Sequence, residues 1–159
     1  MNEYLEMTIK ILVIIILAGV VGIDRELRHK PAGTKTHMLV GLGSTVFTIM
    51  SIWFYKEYQG HTAVDPSRIT AQIVTGIGFL GAGTIIQSGS AVIGLTTAAS
   101  LWSVAAIGVA VGTGNYFLAV ITTGAMVLVF ILINRLSDIF ETKVVPRIRK
   151  VGRKKTGIK

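Results

Sequence analysis

Three groups of residues have types and spacing that could do chemistry. The stretch GIGFLGAGTI, beginning at Gly76, holds Gly76, Gly78 and Gly81 in a G-x-G-x-x-G pattern. In a soluble protein that pattern closes a loop on a dinucleotide pyrophosphate. A polar cluster, Asp24, Arg25, Glu26, Arg28, Lys30, Thr36 and His37, combines both charge signs with an imidazole that titrates near neutrality. Asp65, Arg68 and Gln72 form the third group, with Arg68 and Gln72 four apart on one helix face.

The elements around the glycines decide their role. A dinucleotide fingerprint needs a strand before it, a helix after it and an acid about 20 residues further on for the ribose. No Asp or Glu lies between Asp65 and Asp138, and the apolar run passes through the motif without a break. The pattern therefore excludes a nucleotide. On a helix at 100° per residue, Gln72, Gly76 and Gly83 share one face, while Ala71, Gly78 and Ala82 lie opposite, with Gly81 at that face's edge. Small residues let backbones approach closely in lipid. This predicts a central third helix gripped from both sides, with Ala99, Ser103, Ala106 and Ala110 as a matching surface on the fourth. A second copy of the chain is a further candidate for that contact.

Five apolar blocks carry these groups: 9–23, 38–55, 69–86, 93–111 and 116–133. Lys10 is the one Asp, Glu, Lys or Arg residue inside them. Hydrophobic residues make up 51% of the 159, and the mean hydropathy is +0.65. Crossing a bilayer core takes roughly 17–25 helical residues, which the first block reaches when counted from Glu6. The expected fold is an all-α integral membrane protein, a bundle of five transmembrane helices. A cleaved signal peptide fits the first block poorly, because the residues before it carry Glu3 and Glu6 and no basic residue.

Of the 16 Lys and Arg residues, Arg25, Arg28, Lys30 and Lys35 lie in the first connection. Arg135, Lys143 and seven more from Arg147 to Lys159 follow the fifth block, leaving only Lys10, Lys56 and Arg68 for the other side. Five crossings put the first connection and the tail on one face, cytoplasmic by the positive-inside rule, with the N-terminus outside. Trp53, Phe54 and Tyr55 are then an aromatic belt at the outer end of helix two. Residues 1–135 form the membrane domain and 136–159 a basic cytoplasmic tail. The tail suits anionic lipid head groups. It lacks the aromatic or Gly-rich pattern of a nucleic-acid arm.

Other chemistry is sparse. Without cysteine there is no disulfide, thiolate metal site or thiol nucleophile. His29, His37 and His61 are scattered and form no nucleophile–base set, so no enzyme is expected. A Mg²⁺ path calls for carboxylates at membrane depth. The blocks contain none, so no metal site or cofactor is assigned, and Mg²⁺ transport stays open only as the alternative to a regulatory role. Asp65 and Pro66 read as the cap and first residue of helix three, with Arg68 snorkelling to head groups or pairing with Asp65.

Four stretches in combination resemble the MgtC/SapB family of bacterial membrane proteins: GIDRE from Gly22, KPAGTKTHMLVGLGS from Lys30, DPSRITAQIVTGIGFLGAGTII from Asp65 and GLTTAASLW from Gly94. The resemblance runs from about Gly22 to Tyr116. It implies a multi-pass inner-membrane protein with five helices, linked to growth in low magnesium, acid tolerance and survival inside host cells. It marks Gly22, Arg25, Glu26, Ala32, Gly33, Thr36 and His37 as the functional surface, one that could dock a membrane-protein partner. Lys35 departs from the arginine usual in the family's AG-x-R-T-H pattern, and Lys offers no bidentate fork. The chain reads as a short form without the C-terminal ACT-like domain of longer members.

Overall fold

The computed structural model describes residues 2–60 and 65–143. Five helices run in chain order: α1 (Glu3–Leu27), α2 (Thr34–Tyr58), α3 (Ser67–Gly83), α4 (Leu95–Gly112) and α5 (Tyr116–Lys143). Four of them, α1, α2, α4 and the Tyr116–Ile133 part of α5, are long and apolar enough to cross a membrane. With 17 residues α3 spans about 25 Å at 1.5 Å per residue, the lower limit for a bilayer core.

The fold is mainly helical as expected, and between α3 and α4 it adds a short hairpin not expected from the sequence. Strands β1 (Ile86–Ser88) and β2 (Ala91–Ile93) form an antiparallel hairpin, pairing Ile86 with Ile93 and Ser88 with Ala91. The apolar run conceals the break, and local chemistry makes it. Thr84 turns back on Gly81, its backbone N–H and Oγ1 both donating to the Gly81 carbonyl at 3.0 and 2.8 Å. Gly89 then takes a positive φ of 61° at the hairpin tip. Gly94 closes the hairpin at φ 97°, where a Cβ would lie 1.9 Å from the Thr84 carbonyl oxygen. Only glycine fits there.

The helix starts follow capping rules. Asn2 accepts from the Tyr4 amide at 3.3 Å, and Glu3 and Glu6 sit in the first turn, where the helix dipole favours acids. Asp65 accepts from the Ser67 amide at 2.8 Å and from its hydroxyl at 2.7 Å, which holds the exposed carboxyl below the ordinary aspartate range. The helix begins one residue later than the sequence suggests, with Pro66 as its N-cap.

The chain divides into two compact units, residues 1–124 and the segment from Ala125 onward. In the first, α1, α2 and α4 pack around Ile14, Ala18, Val21, Leu101, Val104, Ile107 and Val111. Helix α2 buries mostly small and hydroxyl side chains: Gly41, Ser44, Thr45, Thr48 and Ser51. These permit close approach, since a Cβ on Gly108 would lie 2.6 Å from the Gly41 carbonyl oxygen. The Thr45 hydroxyl donates across the same contact to the Gly108 carbonyl at 3.0 Å, the kind of interhelical bond that holds helices together in lipid.

That arrangement corrects the predicted centre of packing. Helix α3 buries only Ile73, Ile77 and Gly81, against Ala105 with Val40 and Val109 beside it. Within the described residues nothing lies within 4 Å of a Cβ placed on Gly76, Gly78 or Gly83, whereas one on Gly81 would touch Ala98 at 3.4 Å. On α4, Ala110 is buried, but Ala99 and Ala106 are exposed and Ser103 is half-buried. The buried face of α4 instead runs through Thr97, Ser100, Leu101, Val104, Ile107, Gly108 and Val111. Helical periodicity located small-residue faces correctly but could not say which of them found a neighbour. In the segment from Ala125, described residues 125–143 continue α5 as a helix. Of the expected basic tail, 136–159, residues 136–143 belong to α5, and those beyond Lys143 lie outside the described residues.

Candidate functional site

The end of α1 and the start of α2 are tied together by backbone and side chain. Helix α1 finishes at Leu27, and His29 turns the chain at a φ of 53°. Glu26 then reaches forward, its Oε2 accepting from the Thr34 amide at 2.9 Å and so capping α2. Gly22 is needed at this crossing, because a Cβ there would lie 2.5 Å from the Thr34 Cα. One turn of α1 beyond Gly22, the Asp24 and Arg28 side chains pair at 2.9 Å across the helix surface.

Arg25 points the other way. Neighbours on a helix diverge by about 100°, so while Glu26 faces outward, Arg25 enters the bundle and is only 4% exposed. Its Nη2 donates to Thr97 Oγ1 at 3.1 Å, joining α1 to the first turn of α4. Adjacent in the polar cluster, the two side chains therefore reach different helices: Glu26 bonds the start of α2, and Arg25 bonds α4.

His37 is fully buried and completes the cluster. Its Nδ1 lies 2.8 Å from the Gly33 carbonyl, and its Nε2 lies 3.0 Å from Ser100 Oγ. A carbonyl only accepts, so Nδ1 must carry a proton, and in the neutral ring Nε2 accepts from Ser100. Ser100 Oγ also lies 2.8 Å from the Thr97 carbonyl, and it has a single hydrogen for two acceptors. Protonating His37 would make Nε2 a donor and send the Ser100 hydrogen to Thr97. The result is a buried string from Arg25 through Thr97 and Ser100 to His37 and Gly33, joining three helices at one end of the bundle. Its geometry couples a protonation to a rearrangement of donors between α2 and α4.

Other predicted residues fall elsewhere. Thr36 is exposed and lines an apolar groove between α2 and α3 of about 630 Å³, which Gly76 and Gln72 also line. Asp65 and Arg68 are exposed at the opposite end, where Ser51 Oγ donates to the Pro66 carbonyl and ties α3 to the late turns of α2. The main bonds to the Asp65 carboxyl come from Ser67, with the Arg68 charge a lesser influence. Thr97 and Ser100 were not read as site residues. The available signal was Thr97 and Ser100, three apart and so on one face, among the hydroxyl residues in the first turns of an otherwise apolar helix.

With this geometry in view, the match to known proteins is direct. A model of the MgtC family matches residues 11–139, a range that contains α1 from its third turn onward, the α1–α2 connection and the whole buried string. The chain belongs to the MgtC family. Among its MgtC-family relatives, the protein named "Putative magnesium transporter YhiD" from Escherichia coli (strain K12) is 44% identical over 117 residues, covering 72% of this chain and 54% of the relative. "Protein MgtC" from Brucella abortus (strain 2308) is 39% identical over 132 residues, 83% of this chain and 53% of its own length. "Protein SapB" from Bacillus subtilis (strain 168) is 40% identical over 116 residues, 70% and 49% respectively. The chain thus spans about half the length of the curated relatives it matches. No solved structure matches it.

Proposed function

We propose that this MgtC-family chain is a bacterial inner-membrane protein that supports adaptation to low magnesium or acid stress by regulating another membrane system. All five helices cross the bilayer, with the N-terminus outside and the end bearing the buried string in the cytoplasm. The observation that carries the reading is the string itself. Arg25 and His37 are buried side chains bonded to α4, so a change at either one alters how α1, α2 and α4 meet at that end. Exposed Arg28, paired with the half-buried Asp24, and exposed Lys30 and Lys35 surround it with charge that a partner can read. The basic tail adds attraction to anionic lipids.

Complementation tests this proposal. In a strain lacking its own family member, Arg25→Ala and Thr97→Val are each expected to abolish rescue of growth in low magnesium while membrane levels of the chain stay normal. Losing a hydrogen bond to a charged group costs about 1.5–3 kcal/mol. That is enough to move one end of three packed helices without unfolding them. Full rescue by both variants would remove the string from the mechanism.

Magnesium transport is the second reading, favoured by the name carried by the Escherichia coli relative. The groove between α2 and α3 argues against it, because Thr36, Ser44 and Gln72 are its only side chains with hydrogen-bonding groups and none is a carboxylate. Hydrated Mg²⁺ is ordinarily held through carboxylates and waters.

A further inference from the structure

Lys10, the lone charge inside the first apolar block, is 9% exposed and pairs with Glu6 at 2.8 Å. The pair lies in a cavity of about 400 Å³ at the end of the bundle opposite the buried string. Helix α1 lines this cavity with Glu3, Glu6 and Lys10, α2 with Trp53 and Lys56, and α4 with Gly112 at its last residue. Lys10 is two helical turns from Glu3, about 10 Å along the axis, so polar groups reach well below the helix ends.

The charges alternate in a way that selects for a ligand. An anion approaching Lys10 and Lys56 would meet Glu3 and Glu6, and a bare cation approaching the acids would meet the two ammonium groups. Glu6 and Lys10 already satisfy each other. Glu3 and Lys56, both exposed, take no ion pair among the described residues. One negative and one positive group without such a pair therefore line the cavity together with the Trp53 ring. We propose that this cavity binds a phosphate–ammonium zwitterion, the phosphoethanolamine head group of a phosphatidylethanolamine lipid. Its phosphate lies on Lys56 with support from Lys10. Its primary ammonium donates to Glu3 and lies near the face of Trp53, a favourable place for a cation. The site is distinct from the buried string and does not depend on the regulatory reading.

Native mass spectrometry of the purified, delipidated chain tests this, using phosphatidylethanolamine, phosphatidylcholine and phosphatidylglycerol with the same acyl chains. Phosphatidylethanolamine is expected to be retained about tenfold over either competitor. Choline cannot donate to a carboxylate and glycerol has no cation, and a hydrogen bond to a charged group is worth about that factor. Glu3→Gln and Lys56→Gln change exposed side chains, so the fold should survive, and each should erase the preference. Displacement of the lipid by soluble phosphoethanolamine would support the head group as sufficient. A preference that survives this competitor would support the site with the acyl chains as part of the ligand. Phosphatidylglycerol bound as tightly as phosphatidylethanolamine, or an undiminished preference in both variants, would overturn the proposal.

Discussion

Residue identity carried much of the site, and residue orientation carried the rest. Arg25, Glu26 and His37 were legible because two charges and an imidazole at the edge of an apolar block need a reason. Their partners were not legible. Arg25 meets a threonine 72 positions away, and His37 meets a serine 63 positions away. Serine and threonine in apolar helices usually bond their own backbone, as Ser103 does to the Ala99 carbonyl at 2.9 Å, so neither hydroxyl stood out. At the other end, Asp65 makes a pH prediction. Its carboxyl is held below the ordinary aspartate range, chiefly by the Ser67 hydroxyl and amide. The stabilisation is therefore fully present above that range and is lost as pH falls through the lowered value. The protection of the first amides of α3, taken relative to intrinsic exchange at each pH, should fall on that acid descent. Asp65→Asn, a neutral side chain that still caps, should remove the pH dependence while leaving protection at neutral pH nearly intact.

At the scale of elements, four apolar blocks became helices, because a long apolar run has few other ways to satisfy its backbone in lipid. The fifth block runs on ten residues past its expected end, to Lys143. The third block did not end as expected. Its apolar character continues through Ile85 and Ile86, yet the turn at Thr84 and the positive φ of Gly89 and Gly94 convert the run into a hairpin. Local turn chemistry prevailed over hydropathy. The glycines give the sharpest test of the packing order. Gly108→Leu places a side chain against the Gly41 carbonyl and the Ser44 Cβ, so it should separate α2 from α4. Overpacking of this kind costs about 1–3 kcal/mol. Gly78→Leu meets no described atom within 4 Å and should leave the detergent-solubilised monomer unchanged. Thermal unfolding followed by size-exclusion chromatography compares the two, and equal destabilisation would contradict the assignment of α2 and α4 as the packed centre.

At the scale of the whole molecule, the helical unit of residues 1–124 has chemically different ends. One holds the buried string beneath the charges of the first connection, and the other holds the cavity around Lys10 and Lys56. In the proposed topology, the four Lys and Arg residues of the first connection and the nine from Arg135 onward place the string-bearing end in the cytoplasm by the positive-inside rule. Reporter fusions after Lys35 and after Gly60 should accordingly read cytoplasm and outside. An inside signal at Gly60 would break the five-crossing topology. The central claim, that the chain acts through a conformationally coupled polar string and not by conducting magnesium, is tested most directly by Mg²⁺ flux into liposomes that contain only the purified chain. The account predicts flux indistinguishable from protein-free liposomes, and robust, saturable Mg²⁺ uptake that depends on the protein would contradict it.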